Sequence, residues 1–205
     1  MNDLIETGDI CLVRHLGKAQ SWAHKAILGT TGAKHNHDEL ITVRSCSAWV
    51  LYARPPQCGF VELEERREQR RRGEIVYAVL RIAAWDYQPA DVRREWDMWQ
   101  ARVQAQCDLI AELRIPYDVR AVIRQGRNWL RSKVPILKPL VAGQEHRMYC
   151  TESVERITRI AGLSAFRPLP PQDFYSPIHT ERAWLAGHLR LVEDGGLARY
   201  VLPQR

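Results

Sequence analysis

Residues 37–53, HDELITVRSCSAWVLYA, decide the fold class. The segments 37–43 and 47–53 are both strand-like, and Pro55-Pro56 ends the second. Two such runs so close together predict an antiparallel hairpin. Outward from it, a strand follows Gly8-Asp9 over 10–14, and another spans 74–83, EIVYAVLRIA. The remaining segments carry helical spacing. A short helix over 21–28 stops at Gly29 or Gly32, and 62–72, ELEERREQRRR, lets Glu64 and Glu68 pair with arginines three or four positions on. That mixed-sign run reads as a solvated face, with a polyanion-binding patch as the alternative. Residues 91–113 place Val92, Trp96, Trp99, Val103, Ile110 and Leu113 on one stripe, so the tryptophans read as core. Residues 116–145 read as a helix followed by a loop, broken by Pro135, Pro139 and Gly143. From 150 to 160, Val154, Ile157 and Ile160 recur at helical spacing before Gly162, and a last helical stretch covers about 180–189. The expectation is an α+β fold, a small antiparallel sheet packed against helices, in one domain over 1–205.

Bulk properties restrict the function classes. At 205 residues and 45% hydrophobic, the chain can bury a sizeable core. Its 30 Lys+Arg against 24 Asp+Glu leave a net charge of +6, a weak pull toward anionic partners that singles out neither nucleic acid nor any other polyanion. The five cysteines are odd in number and spread without a C-x-x-C, which argues against a disulfide framework or a structural zinc site. The N-terminus carries acids where a secretory signal needs bases, and no apolar run nears the roughly 20 residues of a membrane span. The expected location is therefore the cytoplasm, with no membrane span.

The chemistry concentrates in 146–157, HRMYCTESVERI, where Cys150 stands at a helix start. Unpaired N–H groups and the positive end of a helix favour a thiolate there. Cys11, Cys46, Cys58 and Cys107 lie in apolar runs or loops and read as structural. A nucleophilic thiolate needs an imidazole base and a group to orient it. His37 at a strand start is the first candidate; His35, on the same face of an extended chain, is the second. His35 and His37 with Asp38 or Glu39 would be a metal site only with further ligands, and none cluster nearby; no metal or other cofactor is called for.

Several pieces in order resemble the papain-like cysteine hydrolases of the NlpC type, in the circularly permuted, YiiX-like branch where the histidine strand precedes the cysteine helix. They are Gly8-Asp9-Ile10, Asn36-His37-Asp38-Glu39-Leu40-Ile41, Val50-Leu51-Tyr52-Ala53, Pro116-Tyr117-Asp118, Tyr149-Cys150-Thr151-Glu152-Ser153-Val154, and the late Pro170-Pro171-Gln172-Asp173 and Ser176-Pro177. The resemblance implies Cys150 as nucleophile, His37 as base, and a third catalytic position at Tyr52, where YiiX-like relatives carry glutamate. A phenol accepts a hydrogen bond from an imidazole but brings no carboxylate charge. Glu39 is the nearest substitute in sequence, yet a neighbour on the same strand looks poorly placed to reach the far ring nitrogen. Asp9, Tyr117 and Tyr149 are expected to line the substrate cleft, although Gly8-Asp9 and Pro-Tyr-Asp also suit turns.

The function so implied is a peptidase or amidase that cleaves amide bonds through an acyl-enzyme, with peptide or peptidoglycan as substrate. A thioesterase or acyltransferase resembling lecithin:retinol acyltransferase is the enzymatic alternative. From another class comes a structural component of a phage tail, partnered by virion proteins, with a retained or decayed site.

Overall fold

The computed structural model describes residues 4–54, 56–83, 90–117, 150–163 and 176–202. Six strands, β1 (Ile10–His15), β2 (His37–Arg44), β3 (Ser47–Arg54), β4 (Gln57–Glu62), β5 (Ile75–Ile82) and β6 (Leu189–Gly195), form one sheet in the order β4-β3-β2-β1-β5-β6. Every neighbouring pair is antiparallel. The helices are α1 (Trp22–Thr31), α2 (Leu63–Arg71), α3 (Ala90–Glu112), α4 (Cys150–Ala161), α5 (Pro177–Leu185) and the short α6 (Ala198–Val201).

Alternation along the strands sends neighbouring side chains to opposite faces of the sheet. Ile10, Leu12, Leu40, Leu51, Ala78 and Leu80 join the larger core, with Trp96, Trp99, Val103 and Ile110 of α3, Val154 and Ile157 of α4, and Trp184 of α5. Cys11, Val13, Ile41, Val50, Tyr77 and Val79 form the second core, closed by Leu63 of α2. The tryptophans are core as expected: Trp96 and Trp99 are buried and stack with centroids 4.6 Å apart. Two expected core positions are not. Leu113 and Ile160 are exposed, and Ala161, seven residues after Val154, takes the buried place that Ile160 misses by its angle on the helix.

The expected α+β class stands, but the sheet is larger than the small one expected, because β4 and β6 join as its two edges. An edge strand buries few side chains, so its sequence lacks a strong apolar alternation. The helix expected to reach 189 ends at Leu185; Gly187, at φ 78°, turns the chain into β6. On the other edge, Cys58 N–H donates to Ile115 O (2.9 Å) and Tyr117 N–H to Pro56 O (3.1 Å), covering the start of β4.

Candidate active site

Cys150 is the first residue of α4, and the amphipathic pattern after it explains why the thiol lies where it does. Val154, Ile157 and Ala161 bury one face of α4 against β2 and β3, so the first turn comes to rest at the end of the sheet where β2 begins. Gly162, at φ 113°, ends the helix, with Leu163 N–H donating to Thr158 O (3.0 Å). The Cys150 side chain is buried and meets the imidazole of His37, the first residue of β2.

His37 shares its strand face with Glu39. Its Nε2 lies 3.2 Å from Glu39 Oε1, close enough for strong attraction though off the line of a hydrogen bond. Burial alone would depress the imidazole's pKa, but the charge and hydrogen bonding of Cys150 and the Glu39 carboxylate outweigh it and raise the pKa to about 9. Burial would likewise raise the pKa of Glu39, yet the net shift is downward. The cause is Arg66 of α2, which donates from Nε to Oε2 (2.8 Å) and from Nη2 to Oε1 (2.7 Å), together with His37. Arg66 is 1% exposed, so the run 62–72 is not wholly a solvated face: Leu63 and Arg66, one helical turn apart, point inward. Its other charges do pair at the surface, as in Arg67–Glu64 and Arg71–Glu64.

The other candidates stand elsewhere. His35 is fully buried between two carboxylates, Nδ1 2.8 Å from Glu181 Oε1 and Nε2 2.5 Å from Asp38 Oδ1. Burial opposes its protonation, but Asp38 and Glu181 prevail and raise its pKa to about 10. Tyr52 turns its hydroxyl over Gly59 on β4: a Cβ built on Gly59 would stand 2.8 Å from that oxygen. No hydrogen bond joins Tyr52 to His37 among the described residues, and the ring instead carries the Arg54 guanidinium 4.3 Å from its centroid. Asp9 is fully buried, its oxygens taken by Arg81 Nε (2.8 Å), Arg81 Nη2 (2.9 Å) and the Glu6 N–H (2.8 Å), a tie from β1 to β5 rather than a cleft wall. Tyr117 is half-buried against the larger core beside the β4 edge. Tyr149 lies outside the described residues.

Burial raises the pKa of Cys58 to about 11 and pushes those of Cys11 and Cys107 up as well, while Cys46 sits exposed in the β2–β3 turn. Two further imidazoles flank the site. His15 and His24 stack with centroids 3.9 Å apart, and both have pKa values lowered to about 4, chiefly by burial, with His37 adding repulsion. His24 also caps α1 with Ser21, and His15 Nδ1 lies 3.2 Å from Asn36 Oδ1. The sequence signals for the missed residues were slight: Arg66 shows only as a partner of Leu63 at helical spacing, and Glu181 is one acid in a short amphipathic helix.

No family model matches the chain, and no curated protein does. Among solved structures the fold is similar to a crystal structure described as the metalloprotein yiiX from Escherichia coli O157:H7. The TM-score is 0.51 at 18% identity, over 77% of this chain and 66% of that one. The chain thus spans just under two-thirds of yiiX. Among the described residues no three His, Cys, Asp or Glu side chains are grouped to hold a metal ion, and no helix is long and apolar enough to cross a membrane. Across this span the chain has a YiiX-like α+β fold.

Proposed function

We propose that the chain is a cysteine hydrolase of the permuted papain-like kind, cleaving amide bonds in peptides. The observation that carries this reading is the buried pairing of Cys150 at a helix start with His37, backed by the Arg66-anchored carboxylate of Glu39. Cys150 is the nucleophile, His37 the acid and base, and Glu39, in the place expected of Tyr52, orients the imidazole and stabilises its charge.

In the forward step Cys150 sulfur bonds to the substrate carbonyl carbon while the C=O π electrons move to oxygen, where N–H groups of the first turn of α4 receive them. Collapse of this adduct breaks the C–N bond, and the amine leaves with the proton from His37. Water then gives a proton to His37, attacks the thioester, and releases the acid as the C–S bond breaks.

Mass spectrometry after brief iodoacetamide treatment at pH 7 tests the reading. Cys150 should alkylate ahead of exposed Cys46 and should be the only thiol trapped by a peptide-based electrophile. Faster reaction of Cys46 with either reagent would overturn the assignment.

A further inference from the structure

On the opposite face of β2 from Glu39, a second set of contacts reaches the same helix turn. Asp38 follows His37 directly, so its side chain points to the α4 side of the sheet, with Leu40. Asp38 Oδ2 accepts a hydrogen bond from Thr151 Oγ1 at 2.6 Å, and Thr151 is the residue next to Cys150. The same oxygen accepts from Thr180 Oγ1 of α5 at 3.0 Å. Asp38 Oδ1 lies 2.5 Å from His35 Nε2, and His35 Nδ1 lies 2.8 Å from Glu181 Oε1, also on α5. All five side chains are buried.

We infer that Asp38 and Thr151 are positioning residues that clamp the first turn of α4 to β2 and so set the Cys150 sulfur against His37. This rests on the reading of Cys150 as nucleophile. Two consecutive residues of one strand then grip one helix turn, His37 through the thiol and Asp38 through the adjacent hydroxyl. Because α5 holds Asp38 from two sides, through Thr180 directly and Glu181 by way of His35, the carboxylate has little freedom to follow a shifting helix. The Thr151 oxygen lies 3.9 Å from the sulfur, and commitment of its proton to Asp38 keeps that proton off the thiolate, leaving His37 as the sulfur's donor. Geometry carries the consequence, since a displacement of about 1 Å between reacting groups costs on the order of a hundredfold in rate.

The test is the pH profile of Cys150 alkylation by iodoacetamide, followed by mass spectrometry on the full chain, alongside thermal unfolding. Thr151→Val keeps the branched shape and deletes the donor; it should slow alkylation at pH 7 by about tenfold or more and move the rise of the profile to higher pH. Thr151→Ser should restore the wild-type profile. Thr180→Val removes a bond from the same Asp38 oxygen but leaves the Asp38–Thr151 bond to α4, so it should lower the unfolding temperature and slow alkylation clearly less than Thr151→Val does. If valine is not accommodated at 151, Thr151→Ala replaces it in the comparison. A folded Thr151→Val or Thr151→Ala protein with the wild-type profile would overturn the clamp, as would an equal slowing by Thr180→Val. Wild-type Cys150 reacting no faster than Cys46 would instead remove the nucleophile reading, and the clamp with it.

Discussion

His35 and His37 stand two residues apart, both buried and both raised in pKa, yet their surroundings differ in one decisive way. His35 has a carboxylate at each ring nitrogen. With both protons held by anions, it has no nitrogen left to receive one, and it serves as a cation that lets Asp38 and Glu181 lie in the interior together. His37 has a carboxylate near Nε2 and a thiol as its other partner. A thiol can exchange its proton with the imidazole, which is what the proposed function requires of that pair. Proximity of an acid to a histidine therefore does not by itself mark a base. What distinguishes the two sites is whether the second nitrogen meets a group that can give up a proton.

The widest separation between the two histidines should come from paired substitutions. His37→Gln is expected to slow Cys150 alkylation at pH 7 by about 10²–10⁴-fold, the usual range for loss of a positioned base, with a smaller effect on folding. His35→Gln should do the reverse. It strands two buried carboxylates without their cation and should cost about 3–5 kcal/mol of stability, read from urea unfolding, while any folded fraction keeps a reactive Cys150. A destabilised His37→Gln protein with normal thiol reactivity would exchange the two roles.

pH sharpens the same contrast. The pKa of His35 is raised above its ordinary 6.5 to about 10, so its contribution to stability is complete below about pH 6.5 and is lost as pH rises through about 10. The contribution from His37 has the same sign and fades near 9. The urea midpoint of the wild-type protein should thus fall between pH 8 and 11, and His35→Gln should remove the later part of that fall. A decline of unchanged shape in the variant would assign the alkaline loss elsewhere.

How far the sequence reached can be seen at particular residues. The order of a histidine strand before a cysteine helix was legible because each sits at an element boundary that local patterning reveals: His37 opens β2 and Cys150 opens α4. The α+β class and its four inner strands were legible for the same reason. Edge strands β4 and β6 were not: β6 pairs with β5, far earlier in the chain, and β4, though it follows β3 across a short turn, lay beyond the Pro55-Pro56 that reads as the end of the hairpin. The proposed orienting carboxylate was hardest. Glu39 looked badly placed from spacing alone, but residues i and i+2 share a strand face. Its anchor, Arg66, was hidden in a run of charges whose burial depends on where α2 docks. Spacing shows which face a side chain shares and says nothing of the partner brought over it by tertiary packing.

Glu39→Gln tests that tertiary contribution at an intermediate scale. Loss of the carboxylate should lower the pKa of His37 and slow Cys150 alkylation at pH 7, with added instability from an unneutralised Arg66. Recording the His37 ring titration by NMR separates these effects, because unfolding does not move the midpoint of the folded population. An unshifted midpoint would mean that Glu39 serves Arg66 alone.

The smallest effect is expected at Tyr52, and it is informative because the sequence resemblance to permuted papain-like hydrolases implies the third catalytic group there. Its hydroxyl lies over Gly59 and its ring under Arg54, so Tyr52→Phe should keep the ring contact and leave the alkylation rate within about twofold of wild type, inside the ordinary range for a surface change. Gly59→Ala supplies the complementary perturbation. The added methyl would meet the Tyr52 oxygen at 2.8 Å and its Cζ at 3.0 Å, so the ring must move. If Tyr52 acts only by packing, this shift should lower the unfolding temperature modestly and spare the thiol. A tenfold loss of Cys150 reactivity in Tyr52→Phe, with Glu39→Gln near wild type, would return the orienting role to β3 and make the Glu39–Arg66 pair a purely structural link between β2 and α2.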